Sequence, residues 1–340
     1  MSARRSIIPV FVPHLGCPNA CVFCNQNEIT GTAAEEAFRQ MNRVISMPPE
    51  GGARELAFYG GSFTAISETQ QLKLLKLAET ALQRGSISSI RLSTRPDAVS
   101  PEILERLRQY GVGTVELGAQ SMQDNVLRAS GRGHTAEDVR QAARLVLEYG
   151  FQLVLQMMTG LPGDDDDGAL HTAAELIALK PHAVRIYPTV IVRGTELEKM
   201  WRCGQYREHT VEDAVRVCSR LLPLFEKAGI AVIRLGLNPT EDLSGGAALA
   251  GAYHPALGEL VRSRVLRNAA EEKLEELQTE GKTVVIHVPP GLVSQMIGQK
   301  RCNLIWLQER FSLQRVKVME EPGLKEPRFE LIDGGQTMAF

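Results

Sequence analysis

Three cysteines crowd one loop near the amino terminus, in HLGCPNACVFCNQ: Cys17, Cys21 and Cys24 are separated by three residues and then by two. Thiols this close form a disulfide, bind zinc, or hold an iron–sulfur cluster. The chain of 340 residues has only six cysteines, far below the density of a disulfide-stapled secreted scaffold. Its opening, MSARRSIIPVFVPHLG, has two arginines but an apolar run too short for a signal peptide. No apolar stretch has the length of a membrane span. The expected location is therefore cytoplasmic, without membrane partners, where clustered thiols serve as metal ligands or in catalysis.

Zinc takes four nitrogen or sulfur ligands, often two from each of two knuckles. No second Cys-x-x-Cys pair follows, although His14 is a possible fourth ligand. Cys203, Cys218 and Cys302 stand far off as single residues and read as buried or half-buried thiols. A cubane cluster usually takes one cysteine per iron. With three cysteines, one iron keeps an open position that binds a substrate or cofactor and passes it an electron.

The elements that must position this loop alternate between strand-like and helix-like patterns. SIIPVFV reads as a buried strand, and ELAFYGG, ISSIRLST, VGTVELG, FQLVLQMM and HAVRIYP as five more. Between them lie amphipathic runs such as TQQLKLLKLAETALQR, with Leu72, Leu75, Ala78 and Leu82 on one face. A helix is expected from Val211 to Ala228, and IAVIRLGL as a further strand. Apolar strands alternating with helices imply a parallel sheet covered by helices, open or barrel-like. In either case the working groups lie in loops at the carboxyl ends of the strands. The cysteines follow the first strand, GGSF the second, TRPD the third, GAQS the fourth and TGLPGDD the fifth. All fall on one rim, which reads as a single site. The run Asp164 to Asp167 reads as a cap for the helix after it.

These motifs resemble something known. A Cys-x3-Cys-x2-Cys loop with an aromatic, here Phe23, before its last cysteine is similar to the signature of the radical SAM superfamily. The resemblance implies an α/β fold, a partial (β/α)6 TIM-like barrel. It implies that the three thiolates hold a [4Fe–4S] cluster whose open iron is chelated by S-adenosylmethionine (SAM). The reduced cluster then cleaves SAM to a 5′-deoxyadenosyl radical, drawing on a donor such as a flavodoxin or ferredoxin. By the same resemblance the FYGGSF turn, Tyr59 to Ser62, receives the SAM amino group on its backbone. Glycine at Gly60 and Gly61 removes the side chain that would obstruct that approach. The usual third residue there is acidic, and Ser62 departs from it. Apart from the resemblance, Gly60-Gly61 also reads as a plain strand-to-helix turn.

Longer runs, among them STRPDAVS, VELGAQSM, RGHTAEDV, RLGLNPTEDL and GAYHPALGELV, resemble the radical SAM part of the Elongator catalytic-subunit family. More distantly they resemble oxygen-independent coproporphyrinogen oxidases. The first resemblance implies a tRNA substrate, and the second a porphyrin-like small molecule. The chain ends at Phe340, so no acetyltransferase domain is expected and only the radical chemistry carries over. Ser93, Gln120 and Gln156 are candidates for the SAM wall, the two glutamines as ends of the fourth and fifth strands. Arg185 is a candidate partner for the SAM carboxylate. Each also reads as an ordinary satisfied polar residue. Tyr253 and His254 are candidates on the substrate side, or parts of a structural loop.

The expected core runs over residues 1–261, with a small α+β extension at 262–340. Residues 262 to 317 have ten Lys or Arg against six Asp or Glu, a net +4 in a chain of net charge -2. The segment reads as strand, helix, tight turn, helix, strand, with the turn at Gly298-Gln299-Lys300-Arg301. It is similar to an RNA-binding KH module, in which a Gly-x-x-Gly loop clamps the backbone. Arg301 replaces the second glycine. Lys300 and Arg301 are candidate RNA contacts, and the alternative is a structural cap. A zinc-stabilised protein without turnover is the third reading of the whole chain.

Overall fold

The structure, a computed structural model, describes residues 6–12, 21–24, 34–49, 54–238, 243–333 and 336–339. Cys17 and His14 lie outside them. Strand β1 (Ser6–Phe11) is followed by helix α1 (Ala34–Ile45), β2 (Arg54–Tyr59), α2 (Glu68–Gln83), β3 (Ser89–Thr94), α3 (Pro101–Gln109) and β4 (Val112–Gln120). Then come α4 (Asp124–Ala129), α5 (Ala136–Glu148), β5 (Gln152–Thr159), α6 (Asp166–Ala178), β6 (Ala183–Pro188), β7 (Val190–Val192), α7 (Glu196–Arg202), α8 (Val211–Lys227) and β8 (Ala231–Leu235). Seven strands form one parallel sheet in the order β1-β2-β3-β4-β5-β6-β8. Strand order follows chain order, as right-handed β-α-β crossovers produce, and the sheet is a curled partial barrel.

Sequence explains the elements. Central strands read as unbroken apolar runs because both faces are covered. Leu56, Ala57 and Phe58, and likewise Leu153, Val154 and Leu155, are buried. Helix α2 buries Leu74, Leu75, Ala78 and Ala81. Pro101 opens α3 behind Ser100, whose hydroxyl accepts from Ile103 N at 3.3 Å. Thr135 and Asp138 form a capping box on α5. Asp165 caps α6 by accepting from Gly168 N at 2.8 Å.

The first strand departs from expectation. β1 is an edge strand, and Ile7 and Phe11 are 43% and 40% exposed rather than buried. Ile7, Pro9 and Phe11 line a cavity, while Val10 on the other face is buried. Sequence periodicity also passed over α1, α7 and the short antiparallel pair of β7 with β9 (Ala248–Gly251).

Compactness divides the chain into residues 1–210 with 224–253, and residues 211–223 with 254–340. A boundary after residue 261 would cut α9 (Leu257–Glu275), which is one continuous helix. In the second unit, β10 (Thr283–Val288), α10 (Val293–Ile297), α11 (Cys302–Arg310) and β11 (Arg315–Glu320) follow in the expected order. β12 (Arg328–Asp333) and β13 (Gln336–Ala339) complete a sheet ordered β11-β10-β12-β13. Val284, Ile286, Met296, Leu304, Leu307 and Phe329 share its core. Of the three remote cysteines, Cys218 is buried, while Cys203 and Cys302 are exposed at helix ends.

Candidate active site

The described part of the cysteine loop is anchored from both sides. Val22 N donates to Ser130 O at 3.0 Å, and Leu197 N donates to Val22 O at 2.7 Å. The Val22 side chain packs with Ile191, Leu197 and Tyr206. Cys24 N donates to Cys21 O at 3.0 Å, so the two sulfur-bearing residues sit on one tight turn. Phe23 between them packs against Val126, Met158 and Leu161, which gives the aromatic a holding role.

Cys21 and Cys24 line a pocket of about 180 Å³ together with Gly60, Gly61, Ser62, Ser93, Gln120 and Gln156. Gly60 turns the chain at the end of β2 with φ +105°, a conformation that side chains resist. At the end of β4 the ladder to β5 shifts register between Gly118 and Gln120. Gln120 takes φ +65° there, and its Oε1 accepts from Gln156 Nε2 at 3.1 Å. Gly118 leaves the needed room, since a Cβ there would lie 2.8 Å from Gln120 Nε2. Gln156 lies within β5 rather than at its end.

Sequence reasoning passed over Arg132, one of two arginines lining this pocket; the other, Arg95, is paired with Asp97. Arg132 Nη1 donates to Cys21 Sγ at 3.4 Å and its Nη2 to Gly118 O at 2.9 Å. Its Nε is buried with no partner among the described residues. The signal was the RGHTAEDV run, whose His134 anchors the same segment: Nε2 lies 3.1 Å from Ala119 O. Burial holds the His134 imidazole well below the usual range, at about 4, so it is neutral. Burial also pushes the Asp164 carboxyl up, to about 7.

A second cavity of about 790 Å³ adjoins the first and shares Gly60, Ser93, Glu116 and Gln156 with it. Parallel register builds its floor, setting Ser93 beside Glu116, Gln156 beside Arg185 and Arg185 beside Arg234. Arg185 and Tyr59, candidates for SAM contact, line this second cavity and not the first. Glu116 accepts from Arg91 Nη1 at 2.7 Å, Arg185 Nη2 at 3.0 Å and the Tyr59 hydroxyl at 3.1 Å. Arg91 also pairs with Glu55 at 2.6 Å. Burial and the Glu116 charge raise the Tyr59 phenol, which remains protonated.

The remaining candidates are held by local contacts. Tyr253 N donates to Gly251 O at 3.0 Å. His254 Nδ1 accepts from Ala256 N at 3.1 Å, beside the start of α9. Lys300 and Arg301 are exposed in the turn before α11, both with left-handed φ, +51° and +63°. Beneath them Asn303 is buried, and its Nδ2 donates to Ser263 O and Met296 O at 3.0 and 3.1 Å.

A parallel α/β partial barrel with two cysteines, a diglycine turn and a guanidinium in one rim pocket defines a class of enzyme. The chain belongs to the radical SAM superfamily: that family's model matches residues 11–176, and the model of its C-terminal domain matches residues 181–267. It is 30% identical over 208 residues to the tRNA uridine(34) acetyltransferase of Methanocaldococcus jannaschii, covering 60% of this chain and 36% of that one. It is 33% identical over 190 residues to human Elongator complex protein 3, covering 50% and 35%. The matched part thus spans about a third of each relative. The fold is shared with Elp3 of Methanocaldococcus infernus, at TM-score 0.57 and 23% identity over 80% of this chain and 64% of that one. Among the described residues no helix is long and apolar enough to cross a membrane.

Proposed function

We propose that this protein reductively cleaves S-adenosylmethionine at a [4Fe–4S] cluster held by Cys17, Cys21 and Cys24, and directs the resulting radical at RNA, tRNA foremost. One observation carries the reading: Cys21, Cys24, the Gly60-Gly61 turn and Arg132 line a single pocket. Thiolates on one tight turn are the donor set an iron–sulfur cluster takes, and the cluster supplies the electron that breaks the carbon–sulfur bond. The chain's own groups bind and orient. The open backbone at Gly60-Gly61 accepts the SAM ammonium. Arg132, a half-buried cation with a spare Nε, suits its carboxylate. Ser93, Gln120 and Gln156 offer a hydroxyl and two amides to the ribose. The larger cavity holds the reacting part of the substrate beside them, and the polar wall of Glu116 and Gln156 is common to both.

The substrate class rests on the Methanocaldococcus jannaschii relative, whose name specifies uridine 34 of tRNA. The basic turn at Lys300-Arg301 supplies an exposed pair of cations for the RNA backbone. An external flavodoxin or ferredoxin is the proposed electron donor.

The test begins with iron, sulfide and zinc analysis of anaerobically purified protein. Incubation with SAM and dithionite should then yield 5′-deoxyadenosine. Alanine at Cys17, Cys21 or Cys24 should abolish iron binding, whereas alanine at Cys203, Cys218 or Cys302 should not. Stoichiometric zinc without iron would sink the proposal in favour of a zinc-stabilised protein.

A further inference from the structure

We infer that the larger cavity binds an organic anion with a flat apolar body, and that Arg234 anchors its anionic group. The inference rests on the reading that this cavity receives the substrate. Three guanidinium groups line it, Arg91, Arg185 and Arg234, against two carboxylates, Glu55 and Glu116. Arg91 is matched by both glutamates, at 2.6 and 2.7 Å, and Arg185 by Glu116 at 3.0 Å. Each carboxylate is thereby paired with at least one guanidinium. Arg234, next to Arg185 across the β6–β8 ladder, makes one hydrogen bond among the described residues, from Nε to Gly236 O at 3.0 Å. Its two Nη groups remain as a planar fork at the cavity wall, the geometry that pairs with carboxylate or phosphate.

The apolar half of the ligand is written on the two edge strands. Phe11 and Ile7 of β1 and Ile233 of β8 line this cavity at 40%, 43% and 45% exposure. Large apolar side chains gathered in one concavity mark a binding surface. Tyr59 and Tyr187 add ring surface between them. A volume of about 790 Å³ suits a nucleotide or a larger flat molecule. One anion chemistry has two sources here: the phosphate of a nucleotide, or a carboxylate on a tetrapyrrole.

Calorimetric titration of the full-length protein distinguishes them. Uridine 5′-monophosphate is compared with uridine, and coproporphyrin III with its tetramethyl ester. The charged member of at least one pair should bind roughly tenfold or more tighter, as a charge-assisted hydrogen bond implies. Preference within the first pair assigns the nucleotide source, and within the second the carboxylate source. Arg234→Gln should erase the preference and Arg234→Lys should retain part of it. Inorganic phosphate should compete with the charged ligand in the unaltered protein, a readout that needs no variant. Equal affinity within both pairs would overturn the inference, as would a preference that survives Arg234→Gln. Deoxyadenosine formation is measured on the same preparations. Protein that cleaves SAM but ignores ligand charge refutes the anchor alone. Protein that binds the anion through Arg234 but never cleaves SAM refutes the radical chemistry alone.

Discussion

Arg132 Nη1 lies 3.4 Å from Cys21 Sγ, although 111 residues separate the two in the chain. The contact joins the loop between α4 and α5 to the loop after β1 and sets a fixed cation against a sulfur of the pocket. Hydrogen bonds and charge at ligating sulfurs tune a cluster's reduction potential.

Replacing Arg132 should therefore spare iron but impair its use. Arg132→Ala should keep the iron content, weaken SAM binding by about ten- to hundredfold through loss of charge-assisted bonds, and make the cluster harder to reduce. Arg132→Lys should recover only part, because an ammonium lacks the fork that spans Cys21 Sγ and Gly118 O. Equilibrium dialysis with SAM and a redox titration followed by electron paramagnetic resonance check both. Unchanged SAM affinity would remove Arg132 from the binding wall.

Gly60 and Gly61 should fail in different ways. Gly60 has φ +105°, so Gly60→Ala should cost about 1–3 kcal/mol of stability in urea unfolding. Gly61 has no such φ, and Gly61→Val should leave stability and iron content near the original while SAM binding falls. Equal stability losses would place both residues in a purely structural turn.

His134 should make its mark on stability below neutral pH. Its folded value, about 4, lies below the unfolded 6.5, so the unfolded chain takes up the proton first on acidification. Its contribution is fully present above pH 6.5 and is lost as pH falls to about 4, a change of roughly 3 kcal/mol. Asp164, raised to about 7, works in the opposite sense over much of that window. The comparison must therefore be between the unaltered protein and His134→Gln, in which the Asp164 contribution is common. The variant's unfolding free energy should decline less between pH 6.5 and pH 4. Parallel curves would mean the imidazole is already charged in the folded state.

Charge reversal in the tail should act on RNA alone. Lys300→Glu with Arg301→Glu should weaken tRNA binding in gel-shift titrations and reduce the slope of log affinity against log salt by roughly 1–2. Iron content and SAM cleavage without substrate should stay unchanged. An unaltered salt slope would make the turn a structural cap.

Spacing alone was enough to single out the cysteine loop, because ligands to one cluster must lie close in sequence when one turn presents them. Apolar runs and caps likewise marked the order of strands and helices, since each strand–helix unit is a local matter of periodicity and capping. What the sequence could not display is which polar residues meet across the sheet. Tyr59, Glu116 and Arg185 come from three strands, and only parallel register brings them within hydrogen-bonding distance. That register sets Arg185 in the larger cavity rather than the cysteine pocket, and the sheet's open edges exposed Ile7 and Phe11, which pattern alone assigned to the core. Arg132 was legible only as part of the RGHTAEDV run, because its setting depends on a sulfur 111 residues away. Short-range spacing fixes ligand sets and elements, while long-range pairing of charges is decided by packing, where each buried cation must find its anion in three dimensions.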